Sequence, residues 1–170
     1  MYFCAVKKLT FKQYFKFYPV LELPVLLTEE VAIEFSRKNK PLSLDAVEEF
    51  IIPIETEIDE YTEFVPCFRL PKTELFTGIV YWKASLLKKE YLMVTYDLKG
   101  NFICRRSLAS SFLEEEHIKK SVARIDENMT ISIVAGHNDS AAQEYDPRQS
   151  KVFKIDISED GQLIFASEQN

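Results

Sequence analysis

The densest concentration of groups able to do chemistry is the acidic run Glu55-Thr-Glu57-Ile-Asp59-Glu60-Tyr61-Thr-Glu63. Paired carboxylates perform acid/base or glycosidic chemistry when their surroundings separate their pKa values. That chemistry needs burial and convergence. Here the charges interleave with Ile58, Tyr61 and Phe64, as in an amphipathic surface segment. The expected role is docking of a basic patch on another protein, with Glu57, Asp59, Glu60 and Glu63 as partner-binding residues: the charges steer, and embedded aromatics anchor. A carboxylate-dependent hydrolase drawing on the same run is an alternative.

Other reactive groups are sparse. Cys4, Cys67 and Cys104 are an odd number at wide spacing, which fits reduced thiols better than a disulfide framework. Cys67 and Cys104 sit among apolar residues, where cysteine behaves as a small hydrophobe, and a nucleophile would need one of two histidines brought to it across the fold. His137-Asn138-Asp139, with Asp146, could offer an imidazole and carboxylates from one loop, but adjacent residues rarely converge on one ion, and a solvated loop is expected. His117, in Glu114-Glu-Glu-His-Ile-Lys-Lys, reads as part of a charged face. No catalytic residue, metal site or cofactor is assigned.

Four glycines, Gly78, Gly100, Gly136 and Gly161, stand too far apart for a phosphate-cradling loop or a dinucleotide fingerprint. The G-x-S-x-G nucleophile elbow is likewise absent. With 27 acidic against 21 basic residues and a net charge of −6, the chain has no general attraction to phosphate backbones, so nucleic acid is not an expected partner. No apolar run is long enough for a membrane span, and Met1 to Lys8 has the wrong charge order for a secretory signal. The expected location is the cytoplasm.

Aromatic residues supply the remaining candidate. In Leu75-Phe-Thr-Gly-Ile-Val-Tyr81-Trp82-Lys-Ala84, alternation puts Tyr81 and Trp82 on opposite faces of a strand. One belongs to the core. A concave sheet lined by such residues could hold a small apolar ligand, which makes Tyr81 and Trp82 candidate pocket residues for a ligand-binding barrel.

The elements that must position these groups fall into two parts of one domain spanning residues 1–170. Residues 11–53 read as short helices punctuated by prolines. Phe11, Tyr14, Phe15 and Tyr18 form an aromatic stripe ended by Pro19 that caps the core. Thr28 begins a segment read as a helix with Val31 and Phe35 on one face, although Val31, Ile33 and Phe35 also alternate as in a strand, and Ser43 caps a helix that Pro53 stops. Residues 61–165 read as a β-meander, with strands at Glu63–Leu70, Leu75–Leu86, Tyr91–Asp97, Asn101–Leu108, Val122–Ile125, Met129–Ala135, Lys151–Ile157 and Gln162–Phe165. Ser111 and Glu114 make a capping-box pattern, so a short helical crossover is expected there. Gly136 to Ser150 reads as a long polar loop.

A partial repeat runs through the strands. Tyr96-Asp97 to Gly100-Asn101-Phe102-Ile103 matches Ile155-Asp156 to Gly161-Gln162-Leu163-Ile164, but the Asp-to-Gly spacing is three in one copy and five in the other, so this reads as recurring hairpin chemistry. Together with Met129-Thr-Ile-Ser-Ile133, the pattern resembles small bacterial β-meander proteins of uncharacterised function over residues 91–165. The resemblance implies architecture alone and transfers no functional residue. The fold expected is α+β, with short N-terminal helices on a curved, mostly antiparallel meander of about eight strands, half-barrel or barrel-like. The expected function is a soluble, non-enzymatic binding or protein-interaction factor.

Overall fold

Thr10 begins the first helix through a reciprocal cap: its hydroxyl accepts the Gln13 N–H while the Gln13 side chain accepts the Thr10 N–H. In the computed structural model, which describes residues 8–138 and 151–169, this helix is α1, Phe11–Phe15. A three-residue strand β1, Val25–Leu27, leads to α2, Glu29–Lys38, capped by Thr28. Acidic Glu29 and Glu30 in its first turn, with Arg37 and Lys38 in its last, match the helix dipole. Ser43 caps α3, Leu44–Ala46, which continues without a break through a π turn at Val47–Ile51 and a 3-10 turn at Ile52–Ile54. The expectation that Pro53 stops this helix is thus corrected by one residue. The last turn tightens around Pro53, which has no N–H to place.

The rest is one antiparallel meander: β2 Glu63–Arg69, β3 Phe76–Ala84, β4 Lys88–Asp97, β5 Phe102–Glu114, β6 His117–Ile125, β7 Ile131–Asn138, β8 Lys151–Ile157 and β9 Leu163–Gln169, hydrogen-bonded in sequence order. Strand β1 adds to the sheet by pairing with β6, Val25 opposite Ile125 and Leu27 opposite Ala123. All eight expected strands are present. The short β1 carried no periodic signal and was missed.

The helical crossover expected after Ser111 is a hairpin instead. Leu113 pairs with Ile118 and Glu114 with His117, and the two linking residues, Glu115 and Glu116, have φ of 47° and 70°. Two consecutive positive φ values make a primed turn, normally built from Asn and Gly. Neither is present. The sequence therefore lacked the turn signal, and the capping-box spacing of Ser111 and Glu114 arose inside a strand.

Three turns on the opposite end of the sheet share one geometry. In Asp97–Asn101, Asp126–Thr130 and Ser158–Gln162, the first N–H donates to the fifth carbonyl, and the fourth N–H donates back to the first carbonyl. The fourth residue is left-handed each time: Gly100 at 88°, Met129 at 61° and Gly161 at 86°. The first side chain accepts backbone N–H groups, through Asp97 Oδ1, Asp126 Oδ1 and Ser158 Oγ. The repeat in the sequence is therefore real once Ser158, and not Asp156, is set against Asp97.

Both faces of β2–β4 are covered. On one, Ile79, Tyr81, Leu92, Val94 and Tyr96 pack under α1 and α3 with Tyr14, Tyr18 and Ile51. The stripe from Phe11 to Tyr18 caps this layer. On the other, Val80, Trp82, Tyr91 and Met93 meet Leu27 and Ala32, and the later strands curl over to add Ile125, Ile131, Ile155 and Leu163. The curl is tied where Thr95 Oγ1 donates to the Gly161 carbonyl at 2.6 Å and Arg106 Nε to the Leu163 carbonyl at 3.0 Å. The sheet is strongly curved but not closed into a barrel.

Candidate functional site

The acidic run begins where the 3-10 turn of α3 releases the chain at Glu55. Burial divides the run sharply: the Glu55 side chain is 0% exposed, whereas Glu57, Asp59, Glu60 and Glu63 are all exposed. Glu55 enters the helix-covered face of the sheet and meets donors from two strands. Its Oε1 accepts the Tyr81 hydroxyl at 2.5 Å and Arg105 Nε and Nη2 at 3.0 and 2.9 Å. Its Oε2 accepts Lys83 Nζ at 2.7 Å, and Lys83 also donates to the Thr56 carbonyl. Strand periodicity explains the convergence, because Tyr81 and Lys83 share one face of β3 and Arg105 on β5 stands opposite Val94 of the same face. The adjacent Arg106 points to the other face, toward Leu163.

This constellation is a clamp. With its carboxylate held by three side chains and its side chain fully buried, Glu55 has no exposed surface through which a substrate proton or water could reach it. Burial, then the charge of Glu55, pushes the Tyr81 hydroxyl far above its ordinary value, so it remains a neutral donor. Burial alone would lower Arg105, but its bonds to Tyr81 and Glu55 outweigh that and hold it fully charged. Glu90, across from Lys83 on β4, extends the cluster: its Oε1 is 4.0 Å from Arg105, and its buried Oε2 lies 2.8 Å from Lys88 Nζ, at an angle that makes an ion pair and not a hydrogen bond.

The clamp also sets the path of the exposed residues beyond Glu55. Glu57 has φ of 55° as the chain turns outward. Asp59 then folds residues 59–62 around itself, its Oδ1 accepting the Tyr61 N–H at 2.8 Å and the Thr62 hydroxyl at 2.9 Å, while Oδ2 takes the Leu86 N–H of the β3–β4 turn at 3.4 Å. Desolvation works against these bonds, but together they outweigh it and hold the Asp59 carboxyl below its ordinary range. Asp59 is thus largely committed to its own loop. Glu57, Glu60 and Glu63 are left to face outward.

Between this loop and the β3–β4 turn lies a recess of 240 Å³, with Glu57, Asp59, Lys83, Lys88 and Glu90 around it. Leu86 and Leu87 form an apolar stretch of its rim, and Tyr61 stands on the adjoining loop. Tyr61 is 63% exposed, Leu86 71% and Leu87 65%. Leu113 joins this rim, its N–H donating to the Leu87 carbonyl, and is itself exposed beside Glu114.

Tyr81 and Trp82 do not share a pocket. Tyr81 is sealed under Glu55, while Trp82 packs edge-on against Tyr91 on the other face with ring centres 4.6 Å apart. Trp82 and Tyr91 border a cavity of 190 Å³, below the 300–1,000 Å³ typical of small-molecule sites. Cys67 is a core residue whose burial pushes its thiol well up, which disfavours the reactive thiolate. Cys4, Asp139 and Asp146, and the side chain of His137, lie outside the described residues. Among the described residues, no three His, Cys, Asp or Glu side chains group as metal ligands, and no helix is long and apolar enough to cross a membrane.

The buried half of the site was missed. Lys83 is a charged residue inside the apolar strand sequence Ile79-Val-Tyr-Trp-Lys-Ala84, and Arg105 follows Phe102-Ile-Cys104 in the same way. A cation in a strand buried on both faces requires a carboxylate, and that was the available signal. Comparison with protein-family models, curated proteins and solved structures finds no match for this chain.

Proposed function

We propose that this chain is a protein-interaction module that engages a partner bearing a basic surface, through the segment from Glu57 to Glu63 and the adjoining β3–β4 turn. The observation that carries this reading is the division of the acidic run. Glu55 anchors it to the sheet, so Glu57, Glu60 and Glu63 are held beside exposed Tyr61, Leu86 and Leu87. Exposed apolar side chains rimmed by carboxylates suit a cationic partner: charge steers the encounter, and the aromatic and leucine side chains are buried on docking. Anchoring lowers the entropy lost when the surface is engaged.

The hydrolase alternative gains no support from the geometry. The exposed carboxylates lack the burial that a raised general acid needs, and the buried one is enclosed by Tyr81, Lys83 and Arg105. The test is capture by the tagged chain from native lysate at low and high salt, alongside a Glu57→Gln/Glu60→Gln/Glu63→Gln variant. Asp59 stays in place because it holds the loop. A stoichiometric, basic partner lost from the variant and weakened by salt supports the proposal. Equal capture by both proteins refutes it.

A further inference from the structure

Beside β2, α1 and the end of α2 flank an open recess of 490 Å³, within the range of small-molecule sites. Leu9, Phe17 and Pro19 supply its apolar wall, and Lys16, Lys38 and Lys40 surround it. In a chain of net charge −6, no carboxylate lines this recess, and none of the three lysines is ion-paired among the described residues. Lys38 stands in the last turn of α2, where the dipole already favours a cation. Lys16 and Lys40 reach the same recess from separate segments, and Lys40 Nζ lies 5.9 Å from the centre of the Phe17 ring.

The walls are fixed before any ligand arrives. Gln13 is locked in the cap of α1, and both hydrogens of the Asn39 amide are spent on the Pro66 and Cys67 carbonyls, at 2.7 and 2.8 Å, which pins the end of α2 to β2. Three lysines around an apolar wall, with no carboxylate among the described residues to neutralise them, are complementary to one class of molecule. We infer that this recess binds a small organic anion, a carboxylate, phosphate or sulfonate carried on an apolar or aromatic body. The anionic group sits among Lys16, Lys38 and Lys40, and the body lies against Leu9, Phe17 and Pro19. This site is independent of the acidic surface.

The experiment uses the full chain and two related probes, the anionic anilinonaphthalene sulfonate and the neutral N-phenylnaphthylamine, followed by fluorescence and by backbone amide shifts. Saturable sulfonate binding that shifts amides of residues 9–17 and 38–40 is expected. Lys16→Glu/Lys38→Glu/Lys40→Glu should weaken it at least about tenfold and leave the neutral probe within about twofold. The three lysines are exposed, so the variant should fold, as an unchanged urea midpoint would establish. Should it not fold, Lys16→Glu and Lys40→Glu singly should each weaken the sulfonate about threefold. Unchanged sulfonate affinity on charge reversal, or shifts confined to the surroundings of Trp82, would overturn the inference.

Discussion

Glu55→Gln should destabilise the fold by about 3 kcal/mol, because the substitution keeps the shape of the side chain while removing the carboxylate that both Lys83 and Arg105 contact directly. The Lys83 side chain is 7% exposed and that of Arg105 21%, so neither is rehydrated cheaply once its partner is neutral. The new amide also turns a donor toward either Lys83 or the Tyr81–Arg105 side, where a cationic donor already stands. Breaking a buried ion pair from one side costs roughly 3–5 kcal/mol. Glu90, 4.0 Å from Arg105, recovers part of the compensation and places the expectation near the lower end. For a chain of this length that corresponds to a fall of about 6–12 °C in Tm. Urea denaturation followed by circular dichroism measures it directly. Glu57→Gln is the matched control and should stay within about 0.5 kcal/mol. An apolar triple, Glu55→Leu/Lys83→Met/Arg105→Leu, should recover most of the loss, since a buried ionic cluster is worth little over well-packed hydrophobes. A Glu55→Gln cost below about 1 kcal/mol would show that the clamp does not anchor the acidic segment.

The turns give two further outcomes. Gly100→Ala should cost about 2 kcal/mol or more by urea denaturation, since its φ is 88° and an added Cβ would stand 2.6 Å from Phe11 Cγ. Glu115→Asn/Glu116→Gly should raise stability by about 1–2 kcal/mol by relieving two left-handed glutamates at a primed turn. Alkaline titration followed by tyrosinate absorbance tests the helical layer. Burial pushes Tyr96 up to about 12 and also raises Tyr14, Tyr18, Tyr81 and Tyr91. A raised folded-state value means that the stabilisation is complete below the ordinary value near 10 and is lost as pH rises past it, through about 12 for Tyr96. These five should therefore ionise only as the protein unfolds.

Strand periodicity and proline punctuation made the α+β class, the strand positions and the capping role of the aromatic stripe legible, because each rests on local chemistry. Burial was harder to read. Nothing local separates Glu55 from Glu57, two residues apart in one acidic run. What separates them is that α3 ends over β3 and delivers Glu55 to Lys83 and Arg105, a tertiary fact. The hairpin at Glu115-Glu116 was hidden because its residues are poor at the conformation they adopt. The match among the three repeated turns was hidden as well. Ser158 accepts the same backbone bond as Asp97 and Asp126 without matching them by name, and Met129 takes a position that glycine holds in the other two.

Whether the acidic surface is a docking site is decided by salt-dependent capture comparing the wild-type chain with Glu57→Gln/Glu60→Gln/Glu63→Gln, with the partner identified by mass spectrometry. A partner with a basic surface is expected, held at low salt, released as salt rises, and lost from a variant whose urea midpoint is unchanged. A partner retained equally by both chains, with no dependence on salt, would contradict this role for Glu57, Glu60 and Glu63.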